Sequence, residues 1–305
     1  MKLSPKRFAA LCLAACLLLA LPSCRDRGGD SGSAPSSSAA RGLIPGSSAP
    51  ASNEAPSASA SSVPSSSAPV TQKITFAEGT TMAKMFMLLG DKGIADRDEL
   101  FAAAEALDVS GYPLAGSVAR GAGRCYPLEG YLFPDTYEFY VGDSPANLLK
   151  KMLDNGESRI TAAYRSRAAQ LGMTMDEIVI LASLIQKEAG ETSEMATVSS
   201  ILHNRLAAGM RLQCDATISY VENVIVPFVE NGRETYAATY NTYKCAALPA
   251  GPICNPGTAA IEAALWPADT DYYYFAMDAD GNHYYSKTYE EHAAVCEAHG
   301  IGVHA

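Results

Sequence analysis

The chain has 305 residues, of which 48% are hydrophobic and 18% charged, and its formal net charge is −10. That is enough apolar material for one or two folded domains with a real core. The acidic balance excludes the basic footprint of a nucleic-acid binder and the polybasic patch that attaches a protein to anionic lipid.

The first residues, MKLSPKR, are basic, and residues 8–22 form an apolar run. About 15 residues is short of the ~20 that cross a bilayer and suits the apolar stretch of a signal peptide. LPSC, from Leu21 to Cys24, closes the run in the manner of a bacterial lipobox. Residues 1–24 are therefore expected to be a signal peptide, with Cys24 lipidated as the new N-terminus. An uncleaved N-terminal transmembrane anchor is the alternative. Either places the remainder at the outer face of the cytoplasmic membrane. Without Lys2, Lys6 and Arg7 the net charge of −10 becomes −13.

Residues 25–70 are dominated by Ser, Ala and Pro and show no apolar periodicity. Such a segment buries too little to offset the entropy of ordering it, so a disordered linker is expected. As a coil it would span about 35–40 Å, a tether between membrane and globular part.

QKITFAEG, residues 72–79, alternates apolar and polar positions as a short strand does. TTMAKMFMLLGDKG predicts a helix capped by Thr80 or Thr81 and stopped at Gly90, and residues 95–108 predict a second. Residues 71–124 thus read as a small module. Residues 125–145 are rich in Tyr, Phe, Gly and Pro and read as strands and turns. Ser144-Pro145 then opens a long helical region that runs to about Leu171 with a break near Gly156. TMDEIVILASLIQKEAG is the next helix, with a capping box from Thr174 and Glu177 and Gly190 as a left-handed terminator. Another follows, capped near Thr192 or Ser193 and ended by Gly209. DYYYFAMDADGNHYYSK predicts a β-hairpin across Asp280-Gly281. The class is α+β: a small module, then a mixed, helix-rich domain over residues 125–305 with short strands and a C-terminal hairpin.

Glu188 breaks the pattern of its helix. Counting back by three and four gives Ile185, Leu184 and Leu181, so the carboxyl continues an apolar stripe. It also stands in the last turn, beside the negative end of the helix dipole. Burial and dipole both disfavour the charged form and push the pKa upward, which is what a general acid near neutral pH needs. The plain alternatives are that Glu188 ends the apolar face at the solvent boundary, or pairs with Arg205 on the next helix.

Other polar groups sit near aromatic and Pro/Gly segments. MRLQCDATISY holds Gln213 and Asp215, YNTY holds Asn241 and Tyr243, and EGYLFPDTYEF holds Glu129. Flat rings, amides and carboxylates are what a sugar cleft offers. Each also has a local explanation: Asp215 as an N-cap for residues 216–222, Asn241 as a turn closer, and Asn255-Pro256 as the start of the helix AAIEAALW.

EGYLFPDTYEF, ASLIQKEA, ILHNRL followed by LQCDATISY, YNTY and GPICNPG occur in that order. Together they resemble the YceG-like endolytic murein transglycosylases of bacteria, over about residues 72–299. The resemblance implies a LysM-like module over residues 71–124 and a transglycosylase domain over residues 125–305. It implies cleavage within nascent peptidoglycan strands, leaving 1,6-anhydro-N-acetylmuramic acid ends. Its catalytic glutamate falls on Glu188, and the second glutamate of many members is Gln186 here, which removes that position as the acid. The expected partners are peptidoglycan glycan strands and cell-wall synthesis proteins at the membrane, with no nucleic acid.

The implied chemistry suits a single carboxylate. The sugar's own 6-hydroxyl is the nucleophile, and its tether replaces an activated water. Glu188 would protonate the glycosidic oxygen and then accept the proton of the 6-hydroxyl. Gln213, Asp215, Asn241 and Tyr243 would hold the ring and acetamido groups, with Glu129 as a wall residue. No metal or cofactor is required. A peptidoglycan-binding lipoprotein without activity, and a hydrolase using Asp215 as second carboxylate, are the competing readings. Two features depart from the family: ALPAGPI from Ala247 to Ile253 stands where Gly-Leu-Pro-Pro-Gly-Pro-Ile is usual, and the lipobox replaces the usual transmembrane anchor. Of the remaining cysteines, Cys245 and Cys254 are the pair to test for a disulfide. The late histidines His283, His292, His299 and His304 lack the spacing of a metal site.

Overall fold

Side-chain oxygens close the start of six helices by accepting a backbone N–H from two or three residues further on. Thr81 does so for α1 (Met82–Asp91), Asp96 for α2 (Arg97–Ala106) and Ser144 for α3 (Pro145–Arg159). Thr161 caps α4 (Ala162–Gln170) and Thr174 caps α5 (Met175–Glu188). Each cap satisfies a donor that the first turn leaves unpaired. The computed structural model describes residues 70–118 and 123–302. The expected signal peptide, Cys24, nearly all of the linker and His304 lie outside the described residues.

β1 (Thr71–Thr75) pairs antiparallel with β2 (Thr136–Tyr140), Thr71 opposite Tyr140 and Thr75 opposite Thr136. Ile74, Tyr137 and Phe139 point inward and Phe76 packs on both rings. This sheet spans the boundary expected at residues 124 and 125. A lone five-residue strand leaves its backbone donors and acceptors unpaired, and β1 finds its partner only beyond that boundary. The described residues lie in one compact unit.

The break in the long helical region falls at Ile160 and Thr161, not at Gly156. Gly156 is buried inside α3, where a Cβ would come within 3.1 Å of the Tyr131 carbonyl oxygen. Its lack of a side chain serves close packing rather than helix termination.

α5 is the centre of the larger assembly. Every residue from Ile178 to Ile185 is buried, as expected of a helix apolar all round rather than along one stripe. It packs on α6 (Met195–Ala207) and α9 (Thr258–Leu265), and its end meets α7 (Asp215–Tyr220). α7 runs into a π-helical turn at Val221–Ile225, and α8 (Gly232–Tyr240) follows. The predicted hairpin is present as β3 (Tyr274–Met277) and β4 (His283–Ser286), with Gly281 left-handed at φ +86°. Thr288 then caps α10 (Tyr289–His299). No single helix among the described residues is long and apolar enough to cross a membrane. All five cysteines there are free, including Cys245 and Cys254, whose thiols face the backbone carbonyls of Thr239 and Ser183 respectively.

Candidate active site

Glu188 is the last residue of α5 and opens onto a cleft of about 590 Å³. The cleft is lined by Lys187, Glu188, Arg205, Gln213, Asp215 and Tyr243, and by β3 of the hairpin together with His283, Tyr289 and His292. Burial pushes the Glu188 carboxyl up to about 7, and the negative charge of Asp215 adds to it. The Ala216 N–H, 3.4 Å from Oε1, and the charge of Lys187 work in the opposite direction. Poor hydration of the charged form is thus the main reason that this carboxyl keeps its proton to higher pH than a free glutamate does.

Arg205 does not pair with Glu188. Its buried guanidinium donates to the carbonyls of Tyr273 at 2.6 Å and Leu212 at 2.9 Å, and lies 5.1 Å from the centre of the Tyr274 ring. Nη1 also donates to Gln213 Oε1 at 3.3 Å. Arg205 thus braces the loop that presents Gln213. That residue is left-handed at φ +53°, a conformation that costs a side-chain-bearing residue of order 1 kcal/mol.

Two threonines that sequence reasoning passed over lock this loop to the YNTY segment. Thr242 Oγ1 accepts the Cys214 N–H at 2.8 Å, and the Gln213 N–H donates to the Thr242 carbonyl at 3.2 Å. Thr217 Oγ1 donates to the Cys214 carbonyl at 2.7 Å and lies 3.2 Å from Thr242 Oγ1. Both hydroxyls are fully buried. Thr217 lies within LQCDATISY and Thr242 within YNTY, and that placement is the sequence signal for the pair.

Of the expected site residues, the structure brings Glu188, Gln213, Asp215 and Tyr243 to one cleft. Asp215 is not an N-cap: α7 begins at Asp215 itself, and the carboxylate accepts the Tyr243 phenol at 2.7 Å. Asn241 does not line the cleft. Its Oδ1 accepts the Tyr243 N–H at 2.9 Å, which closes a turn and aims the tyrosine. Glu129 is likewise no wall residue. It is 0% exposed, and its oxygens accept the Met82 N–H, the Asn255 amide and the Tyr220 phenol at 2.9, 3.1 and 3.1 Å. A group without exposed surface touches no sugar; burial pushes this carboxyl up to about 8.

Asn255 is equally structural. The N-cap of α9 is Gly257, and Asn255 instead accepts the N–H groups of Gly130 and Leu132 and donates to the Thr80 carbonyl. Gln186 accepts the Gly257 N–H at 3.0 Å, so its amide is committed to α9. Gly190 is not left-handed. A Cβ there would come 3.2 Å from the His283 ring, so its value is space. The histidines are separately engaged: His283 on the end of α5, His292 stacked on Tyr274 and His299 on Tyr284.

A model described as the YceG-like family matches residues 51–298. The endolytic murein transglycosylase of Bacillus subtilis (strain 168) is 37% identical over 168 residues, 55% of this chain and 46% of that protein. Its namesake in Streptococcus pneumoniae serotype 2 (strain D39) is 30% identical over 192 residues, 60% of this chain and 35% of that one. The chain thus spans less than half the length of these curated relatives. The crystal structure of the yceG-like protein lmo1499 from Listeria monocytogenes superposes with a TM-score of 0.64 at 30% identity. The match covers 73% of this chain and 75% of that one.

Proposed function

The chain belongs to the YceG-like family, and from that premise we propose that it cuts within peptidoglycan glycan strands as a lytic transglycosylase with Glu188 as its acid and base. The observation that carries this reading is the Glu188 carboxyl, raised to about 7 at the end of a buried helix and facing a cleft.

The neutral carboxyl gives its proton to the glycosidic oxygen, and the bond from that oxygen to the anomeric carbon breaks. The 6-hydroxyl of the same sugar then attacks the anomeric carbon, and the Glu188 carboxylate takes its proton. One carbon–oxygen bond replaces another, no water is consumed, and Glu188 ends as it began. Gln213, Asp215 and Tyr243 hold hydroxyl and acetamido groups, and Asn241 acts through Tyr243. Burial and the bond to Asp215 push the Tyr243 phenol up, which keeps it a hydrogen-bond donor rather than a base. The LysM-like module is read as β1, α1 and α2, completed by β2. Lipidation at Cys24 would hold the protein at the outer face of the cytoplasmic membrane, beside cell-wall synthesis proteins.

Mass spectrometry of glycan strands after incubation tests the reaction. Anhydro ends made by the wild type and lost in Glu188→Gln support it. Reducing ends, heavier by one water, would mean hydrolysis, and retention of strands without new ends would mean a binding protein.

A further inference from the structure

His283 opens β4, and its side chain is only 1% exposed. Nε2 lies 3.3 Å from the backbone carbonyl oxygen of Glu188, one of the carbonyls that the end of a helix leaves without a partner. Nδ1 lies 2.9 Å from Glu194 Oε2. The carbonyl only accepts, so Nε2 is the donor of that hydrogen bond, whereas Nδ1 is close to the carboxylate without being aligned for a hydrogen bond to it.

The surroundings fix the ring. It stacks on Tyr285 with 12° between the planes and lies 6.4 Å from Phe275. Glu194 is itself tied down, its Oε2 accepting the Glu191 N–H at 3.2 Å. Gly190 supplies the space, since a Cβ would come 3.2 Å from Cε1 and 3.4 Å from Glu194 Oε2. Three segments meet at this imidazole: the end of α5, the turn at Thr192–Glu194, and the hairpin. The charged and titratable groups around it are Glu188 and Lys187 from α5, Glu194 from the turn and Tyr285 from β4, with Asp215 of α7 beside Glu188.

We propose that His283 is a positioning residue for the reaction: stacked on Tyr285 and lying beside Glu194, it ties the last carbonyl of α5 to the hairpin and so holds the Glu188 side chain beside the Ala216 N–H and the cleft. The role rests on the reading of Glu188 as the acid. Its physical basis is that a helix end frays unless its carbonyls are met, and the acid sits on the final residue.

The test is a ¹³C NMR titration of the Glu188 carboxyl, assigned with Glu188→Gln, in the full chain and its variants. His283→Ala frees the end of α5 and lets water reach Glu188. Its midpoint falls from about 7 by roughly a unit or more toward that of an ordinary glutamate. In strand-cleavage assays kcat falls about ten- to hundredfold with KM within about twofold. His283→Gln, whose amide still donates to the Glu188 carbonyl, recovers most of both. Glu194→Gln, which weakens the clamp from outside, gives an intermediate fall and carries the test if His283→Ala does not fold. A folded His283→Ala, or failing that Glu194→Gln, with the wild-type Glu188 midpoint overturns the proposal. The titration reads Glu188 whether or not glycan is cut. Absence of anhydro ends from the wild type would therefore retire the proposed reaction without deciding this one.

Discussion

The Tyr243 phenol donates to Asp215 Oδ1 at 2.7 Å, and both residues share the cleft with Glu188. The bond leaves Asp215 as an acceptor whose charge faces Glu188 and raises its carboxyl further, beyond the larger effect of burial. A carboxylate at the start of α7, held by a tyrosine from the YNTY turn, thus helps the carboxyl at the end of α5 to stay protonated.

That relationship has a sign. A general acid works in its protonated form, so the rate falls as pH rises through about 7. Asp215→Asn removes a negative neighbour and lowers the Glu188 midpoint. The fall in kcat/KM should then begin at lower pH, by about half a unit. A pH–rate profile with an unmoved descending limb would detach Asp215 from the acid.

Stability carries the same signature in the opposite direction. The folded-state value of Glu188, about 7, lies above the value of 4.5 for a free glutamate. Such a carboxyl costs nothing while both states are protonated, becomes unfavourable as pH rises past 4.5, and reaches its full cost above 7. Glu188→Gln should therefore raise Tm at pH 8 by about 2–4 °C and leave it unchanged at pH 4. Calorimetry at the two pH values checks this, and an equal effect at both would contradict it.

Gln213 separates backbone cost from side-chain use. Gln213→Gly relieves the left-handed strain at φ +53° and removes the amide that reaches into the cleft. Tm should hold or rise slightly while KM for glycan strands increases several-fold. A fall in Tm with KM intact would mean that the amide matters only for bracing Arg205.

Glu129 should behave as a structural residue. Glu129→Ala removes the acceptor and leaves the Met82 N–H, the Asn255 amide and the Tyr220 phenol without this partner. Denaturant unfolding should show a loss of about 1–3 kcal/mol. At temperatures where the variant is folded, KM and the product ends should match the wild type. A large rise in KM would restore Glu129 to the sugar site.

Cys24 is tested in cells. Labelled palmitate should enter the wild type and not Cys24→Ser, and the variant should leave the membrane fraction. A variant that stays membrane-bound without label would indicate the uncleaved apolar anchor.

Local rules in the sequence determined much of this protein. Thr174 with Glu177, Ser144 with Pro145 and the Asp280-Gly281 hairpin are decided by hydrogen bonds and dihedral preferences within a few residues, and they stand where those rules place them. Glu188 was legible for the same reason: helical spacing alone puts a carboxyl at the buried end of an apolar helix. Tertiary structure alone decided which polar groups join it. Asn255 and Glu129 carry the composition of sugar ligands yet lie in the core, because backbone groups distant in sequence needed partners there. Arg205, His283 and the threonine pair at residues 217 and 242 enter the site from separate elements, and Gly190 is small for a neighbour 93 residues away in number rather than for its own φ. Periodicity reports which face a residue occupies, but only packing brings distant faces together, and the surroundings of the acid are made of such meetings.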